Sequence, residues 1–279
     1  MEVAEGVRCA VVGHVEWLDF VPVERVPEPG EILTTNDHWA EPAGGGAVAA
    51  AELLRLGAET TFFTAVGEDE LGRRAEEALR GRGLRLEVAV RAAPQRRAFT
   101  YLDSRGERTI TVLGEKLHPF GDDPLAWEEL DATDGVYFTA GDEAALGHAR
   151  RAGILVATAR ELSTLRSAGV QLDALVHSAR DPAERYEPGQ LDPAPRIVVS
   201  TEGSEGGRYV VDGNEGRWAP APLPGPLADT YGAGDSFAAG LTFALAQGRS
   251  PQEAVERAAA SGSRAMTRHG AARGGDSSF

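Results

Sequence analysis

The chain has 279 residues, 42% of them apolar and 25% charged, which is enough to bury one large globular core and excludes disorder over the whole length. Its formal net charge of -15, spread along the chain, argues against nucleic acid, whose phosphates are bound by clustered basic residues. Lys116 is the only lysine and lies in neither a P-loop nor a protein-kinase strand motif, so backbone amides or arginine must hold any nucleotide phosphate.

In chain order, the acidic opening and the short apolar run at 9–12 make neither a signal peptide nor a membrane span. The single cysteine, Cys9, falls in this run, reads as a packed core residue and cannot form an internal disulfide. A soluble protein of a reducing cytoplasm is expected. Strand-like runs at 10–12, 61–64, 135–138, 154–157, 174–176 and 197–200 alternate with helix-like stretches near 46–57, 69–83, 143–152 and 160–168. Continuous apolar strands between helices indicate an α/β fold with a mostly parallel central sheet flanked by helices.

Two segments, 13–40 and 95–113, interrupt that rhythm with prolines, short extended pieces and an alternating hairpin pattern. They are expected to form a small β-sheet lid, because group transfer needs an element that excludes water. After the prolines at 220, 222, 224 and 226, a glycine turn leads into two helices near 233–247 and 251–268, and nothing marks a second domain. The expectation is a single domain over 1–279.

The chemistry concentrates in Asp229-Thr230-Tyr231-Gly232-Ala233-Gly234-Asp235-Ser236-Phe237-Ala238-Ala239-Gly240. Small residues at a helix start let a ligand approach the backbone, and the free amides there attract an anion. Asp235 stands in the first turn, where the helix end favours an ionised carboxylate by roughly 0.3–2 kcal/mol. An ionised carboxylate there serves either as a general base or merely as a helix cap.

This dodecamer closely resembles the C-terminal signature of the ribokinase-like, or PfkB, carbohydrate kinases, Asp-Thr-x-Gly-Ala-Gly-Asp-x-Phe-x-x-Gly, and meets every fixed position. The resemblance implies the three-layer ribokinase-like fold and ATP-dependent phosphorylation of a hydroxyl on a sugar or sugar-like molecule. It makes Asp235 the base, Gly232, Ala233 and Gly234 the anion hole, and Asp229 a contact for a monovalent cation such as K+. Thr201-Glu202-Gly203-Ser204-Glu205-Gly206 is similar to the family's nucleotide loop and gives Thr201, Gly203 and Gly206 as nucleotide-binding residues. The segments 57–60, 66–72, 106–109 and 270–271 also resemble family pieces, so the likeness covers nearly the whole length.

The acceptor side departs from that pattern. The family's Gly-Gly-x-x-x-Asn loop corresponds to Ala43-Gly44-Gly45-Gly46-Ala47-Val48, which keeps Gly44, Gly45 and Gly46 as substrate-binding residues and puts Val48 in the asparagine's place. Where the family reads Gly-x-x-Asn-x-Asp, this chain has Gly13-His14-Val15-Glu16-Trp17-Leu18-Asp19, with Glu16 replacing the asparagine and Asp19 one position late. Mg2+ is expected with the nucleotide, and Asp181 or Glu184 takes the position of the family's Asn-x-x-Glu glutamate. Competing readings are a nucleoside kinase of the same fold and a non-catalytic sugar or nucleotide sensor. A homodimer through the lid edges is the expected assembly.

Three other features point elsewhere or to packing. Gly44-Gly45-Gly46-Ala47-Val48-Ala49 fits a dinucleotide fingerprint but lacks the buried strand that must precede it. The six histidines lack zinc-ligand spacing, and His14 and His177 read as structural. Trp17 and Trp39 read as packing residues beside the lid.

Overall fold

The structure, a computed structural model, describes residues 6–271. The first half runs β1 (Arg8–Val12), β2 (Glu16–Pro22), β3 (Trp39–Ala43), α1 (Gly45–Arg55), β4 (Glu59–Gly67), α2 (Glu70–Gly81), β5 (Arg85–Arg91), β6 (Arg97–Leu102) and β7 (Arg108–Leu113). The second half continues β8 (Gly135–Phe138), α3 (Glu143–Ala149), β9 (Ile154–Thr158), α4 (Leu162–Ala168), β10 (Ala174–Ser178) and β11 (Ile197–Thr201). It ends with β12 (Gly207–Val211), β13 (Asn214–Trp218), α5 (Ala233–Ala246) and α6 (Pro251–Ala265).

Nine strands form the main sheet in the order β13-β12-β11-β10-β9-β8-β1-β4-β5. From β5 to β11 every pairing is parallel, and β12 and β13 close one edge as an antiparallel hairpin. Side chains alternate across a strand, so β1 divides its residues between two cores. Cys9 and Val11 pack with Phe62, Leu53 of α1, and Phe237 and Leu241 of α5, whereas Ala10 and Val12 pack with Phe63, Trp127 and Leu146 of α3. This is the helix–sheet–helix layering expected from the apolar runs. Burial pushes the Cys9 thiol up to about 12, aided by the nearby Asp134, so it remains an unreactive core group.

The second sheet has the order β3-β2-β6-β7 and draws strands from both segments that broke the α/β rhythm. Its inward face supplies Leu18, Phe20, Ala98 and Leu102 to a small core with Val48 and Tyr231. Every residue of β7 is exposed. Trp17 and Trp39 pack as expected: Arg74 covers the Trp17 ring at 4.6 Å, and Trp39 stacks on Phe20 at 5.1 Å. Among the described residues no helix is long and apolar enough to cross a membrane.

Three strands were not visible as apolar runs. β5 sits at one edge and spells Arg-Leu-Glu-Val-Ala-Val-Arg, while β12 and β13 form the opposite edge, so each has a solvent side that carries polar residues.

Candidate active site

In a parallel sheet, the loops that leave the carboxyl ends of the strands meet along one rim, and ligands bind where the order of connection reverses. Here the chain winds from β1 to β4 and β5 in one direction and from β8 to β11 in the other, so the reversal lies between β1 and β8. Gly13, after β1, touches this point: a Cβ there would lie 2.4 Å from Thr139 Cγ2, just after β8, and 3.2 Å from the Cα of Gly46.

Two helix N-termini converge on the same place. α1 starts at Gly45 behind Gly44, whose φ is 87°, and α5 starts at Ala233 behind Gly232, whose φ is 70°. Neither positive φ suits a residue with a Cβ. A Cβ on Gly45 would stand 2.8 Å from Asp235 Oδ1 and 3.1 Å from Thr139 Oγ1, so the glycine is what lets the Asp235 carboxylate sit against the start of α1. The Gly44 amide donates to the Tyr231 hydroxyl at 2.9 Å and ties the two glycine turns together. Val48 packs beneath Gly232, whose added Cβ would meet Val48 Cγ1 at 2.8 Å. The residue in the family asparagine's place thus supports the glycine turn before α5 from the apolar side.

Asp235 is half-buried and its carboxyl is pushed up to about 6. Desolvation by the surrounding protein is the main cause, with Glu184 adding to it, while Arg160 and Arg108 oppose it. The sequence alone suggested the reverse balance, because the helix end acts locally whereas Glu184 arrives from a distant strand end. At pH 7 the group still ionises by about ten to one.

Glu16 lies on the inward face of β2. It pairs with Arg96 at 2.9 Å and stands 3.7 Å from His14 Nε2, and the side chains of both His14 and Glu16 are 3.2 Å from where a Gly44 Cβ would be. Asp19 is three residues further along β2, on the opposite face, and pairs with Arg97 at 3.1 Å. The structure therefore brings Glu16, Gly44, Gly45 and Gly46 together with Asp235 and leaves Asp19 outside the group. Strand alternation is the reason. His14, read from sequence as structural, belongs to the group: its Nε2 accepts the Gly45 amide at 3.4 Å.

The nucleotide-loop candidates follow β11. Thr201 ends the strand, and Gly203 and Gly206 have φ of 65° and 83° in a turn closed by the Glu202 amide donating to the Gly206 carbonyl at 2.8 Å. A Cβ on Gly206 would lie 2.2 Å from the Trp218 carbonyl oxygen, and one on Gly203 would meet Arg180 at 2.9 Å. Between this turn and Asp235 lie the loops after β9 and β10. There Arg160 pairs with Asp181 at 2.5 Å and with Glu184 at 2.7 Å. Arg160 escaped the sequence reading because only the parallel strand order carries it to Asp235.

Asp229 is fully buried, and its oxygens accept the amides of Tyr231 and Gly270, each at 2.8 Å. The side chain thus ties the glycine turn before α5 to the C-terminal Gly270-Ala271. Arg108 of β7 donates to Thr230 Oγ1 at 3.0 Å and brings the small sheet onto the same turn. Among the described residues, no group of three or more His, Cys, Asp or Glu side chains could hold a metal alone.

Known proteins resemble this chain over nearly its whole length. Over 280 residues the chain is 28% identical to an ATP-dependent ribose-1-phosphate kinase of Halopiger xanaduensis, covering 95% of this chain and 94% of that protein. Arabidopsis thaliana ribokinase, solved with ribose and ATP, superposes with a TM-score of 0.73 at 22% identity, covering 96% of each chain. A microbiome-derived acarbose kinase superposes with a TM-score of 0.78 at 23% identity, covering 98% of this chain and 96% of that one. The pfkB family carbohydrate kinase profile matches residues 8–190 and 148–277. Between them these matches take in nearly the whole chain, which belongs to the pfkB family and is an ATP-dependent carbohydrate kinase.

Proposed function

We propose that Asp235 is the general base and that the backbone amides of Gly232, Ala233, Gly234 and Asp235 form the anion hole for the γ-phosphoryl group of ATP. The observation that carries this reading is the position of Asp235, in the first turn of α5 and against the amino end of α1, at the reversal point of the sheet. The acceptor hydroxyl gives its proton to Asp235 as its oxygen attacks the γ-phosphorus, and ADP leaves with the electron pair of the broken bond. The amides and the positive ends of two helices stabilise the charge on the transferring group. The small sheet covers the reaction and keeps out water that would otherwise hydrolyse ATP.

ATP occupies the side of Thr201, Gly203 and Gly206, and the acceptor occupies the side of Glu16, Gly44, Gly45 and Gly46. Mg2+ bound with the nucleotide would supply neutralisation of the phosphate charge, with few protein ligands needed. Glu184 fits it best on the protein side, because its charge reaches Asp235 and its carboxylate is held by the Ser178 amide at 2.9 Å and by Arg160. Asp181 is held in the same way, by Arg160 and the Ala183 amide, so the charge that reaches Asp235 is what favours Glu184.

A sugar acceptor is tested by measuring ADP release with D-ribose, sugar phosphates and nucleosides. Turnover with a sugar or sugar phosphate is expected, and turnover restricted to nucleosides would replace this reading with the nucleoside one. We also assign a homodimer to the free edge of the small sheet, where β7 is exposed throughout and carries Ile110, Val112 and Leu113. A monomeric mass at micromolar concentration would remove that assignment.

A further inference from the structure

One basic side chain on the donor side, Arg160, has no part in the transfer chemistry given above. The rim of the sheet fixes where it stands. Tyr137 of β8 is buried, and its hydroxyl is hydrogen-bonded to those of Thr139 and Thr158. The β8–β9 register sets these two side by side, Thr139 just past β8 and Thr158 at the end of β9. Thr139 Oγ1 and Asp235 Oδ1 both lie beside Gly45, at 3.1 and 2.8 Å from its added Cβ, and Thr158 Oγ1 accepts the Arg160 amide at 3.3 Å. Arg160 thus leaves the sheet one strand spacing, about 5 Å, from the strand end that adjoins the base. Because β9 lies between β8 and β10, Arg160 stands between Asp235 and the turn of Gly203 and Gly206 that follows β11.

The guanidinium of Arg160 is held in place with one end open. Nε meets Glu184 at 2.7 Å and Nη2 meets Asp181 at 2.5 Å, and the two carboxylates are themselves fixed by the Ser178 and Ala183 amides, each at 2.9 Å. Among the described residues Nη1 makes no protein hydrogen bond. Stability does not account for this arrangement, because the Arg160 side chain is 51% exposed and ion pairs so open to water add little to it. Arg180, the arginine of the next loop, turns instead to Gly203 and Glu205. The charge of Arg160 reaches Asp235. A triphosphate arriving between the glycine turn after β11 and Asp235 meets the ionised Asp235 and Glu184, and the amides of a helix start answer with partial charges only. An arginine fork with one open nitrogen supplies a whole charge at that point and cannot be deprotonated.

We propose that Arg160 is a catalytic residue of the donor side, its Nη1 donating to a γ-phosphoryl oxygen during transfer while Asp181 and Glu184 hold the plane of the guanidinium. The proposal rests on the anion-hole reading above and adds a full charge to its amides. The bond from the acceptor oxygen to the γ-phosphorus forms, the bond from that phosphorus to the β–γ bridging oxygen breaks, and ADP keeps the electron pair. The acceptor proton goes to Asp235, and Arg160 neither gives nor takes one. Its hydrogen bond tightens as charge spreads over the equatorial oxygens of the transferring group, so it favours the transition state over bound ATP.

The test compares the wild type with Arg160→Gln, Arg160→Lys and Asp235→Asn. ADP release is measured with the acceptor that turns over fastest, and calorimetry measures binding of ADP and of AMP-PNP, a non-hydrolysable ATP analogue carrying the γ-phosphoryl group that ADP lacks. Arg160→Gln should lower kcat by about 100- to 1,000-fold, the range for losing one donor to a developing anion. It should weaken AMP-PNP by about 10-fold, the scale of one charge-assisted hydrogen bond, and ADP by less than about threefold. Arg160→Lys keeps the charge without the fork, so it should lose less on both counts, and it carries the same comparison if the glutamine variant does not fold. Equal weakening of ADP and AMP-PNP would overturn the proposal, since Arg160 would then serve the whole nucleotide or the fold. Wild-type turnover in Arg160→Gln would also overturn it, and with Asp235→Asn inactive the base reading would stand. Wild-type turnover in Asp235→Asn, beside the γ-selective loss in Arg160→Gln, would remove the base and support Arg160.

Discussion

Asp235→Asn is expected to lower kcat by about 100- to 10,000-fold, the usual contribution of a positioned general base, with a much smaller change in the binding of ATP. The same substitution should raise stability at neutral pH. The folded carboxyl titrates near 6 whereas its ordinary value is 3.8, so the folded state binds the proton more tightly than the unfolded one. Stability therefore falls as pH rises from about 4 through 6, and above that range the ionised group costs on the order of 1–3 kcal/mol, reduced by the solvent that reaches this half-buried side chain. The asparagine variant escapes the cost. Its gain in Tm should be full above pH 6 and should fade as pH falls toward 4. A group kept only for its charge at the helix end would behave in the opposite way, since asparagine removes the charge that the helix end stabilises and lowers Tm.

Gly45→Ala should cost about 100-fold in kcat while the fold persists. Gly45 has no positive φ, and alanine at the start of α1 brings no backbone strain; the added methyl instead meets Asp235 Oδ1 at 2.8 Å and Thr139 Oγ1 at 3.1 Å. The carboxylate must give way, and displacement of a reacting group by about 1 Å costs rate of that order. Unchanged circular dichroism with reduced turnover is the expected pair of results. Unchanged turnover would mean that Asp235 does its work from some other position.

The parts legible in the sequence were those carried by contiguous residues. The turn from Asp229 to Asp235 and the loop from Thr201 to Gly206 each contain their own geometry, because glycines with positive φ and a helix start are local properties. The central strands were equally plain, since strands buried on both faces read as unbroken apolar runs. What was hidden depends on alternation or on distant strands. Asp19 was grouped with Glu16, although three positions along a strand place it on the other face, against Arg97. His14 was read as structural, although β1 ends at Val12 and leaves it at the rim of the sheet, and Arg160 was not singled out at all. The non-catalytic sensor reading rested on the altered Asn-x-x-Glu position alone. It yields to the family assignment and to a second carboxylate, Glu184, whose charge reaches Asp235.

The raised Asp235 carboxyl also gives the central claim its most direct measurement, the pH dependence of kcat/KM from pH 5 to 8.5 for the wild type and Asp235→Asn. For the wild type, activity should fall about tenfold per pH unit below about 6, as the free enzyme's base takes up its proton, and the residual activity of the variant should lack that limb. A wild-type profile flat through pH 6, together with a variant that turns over as fast as the wild type, would contradict Asp235 as the base.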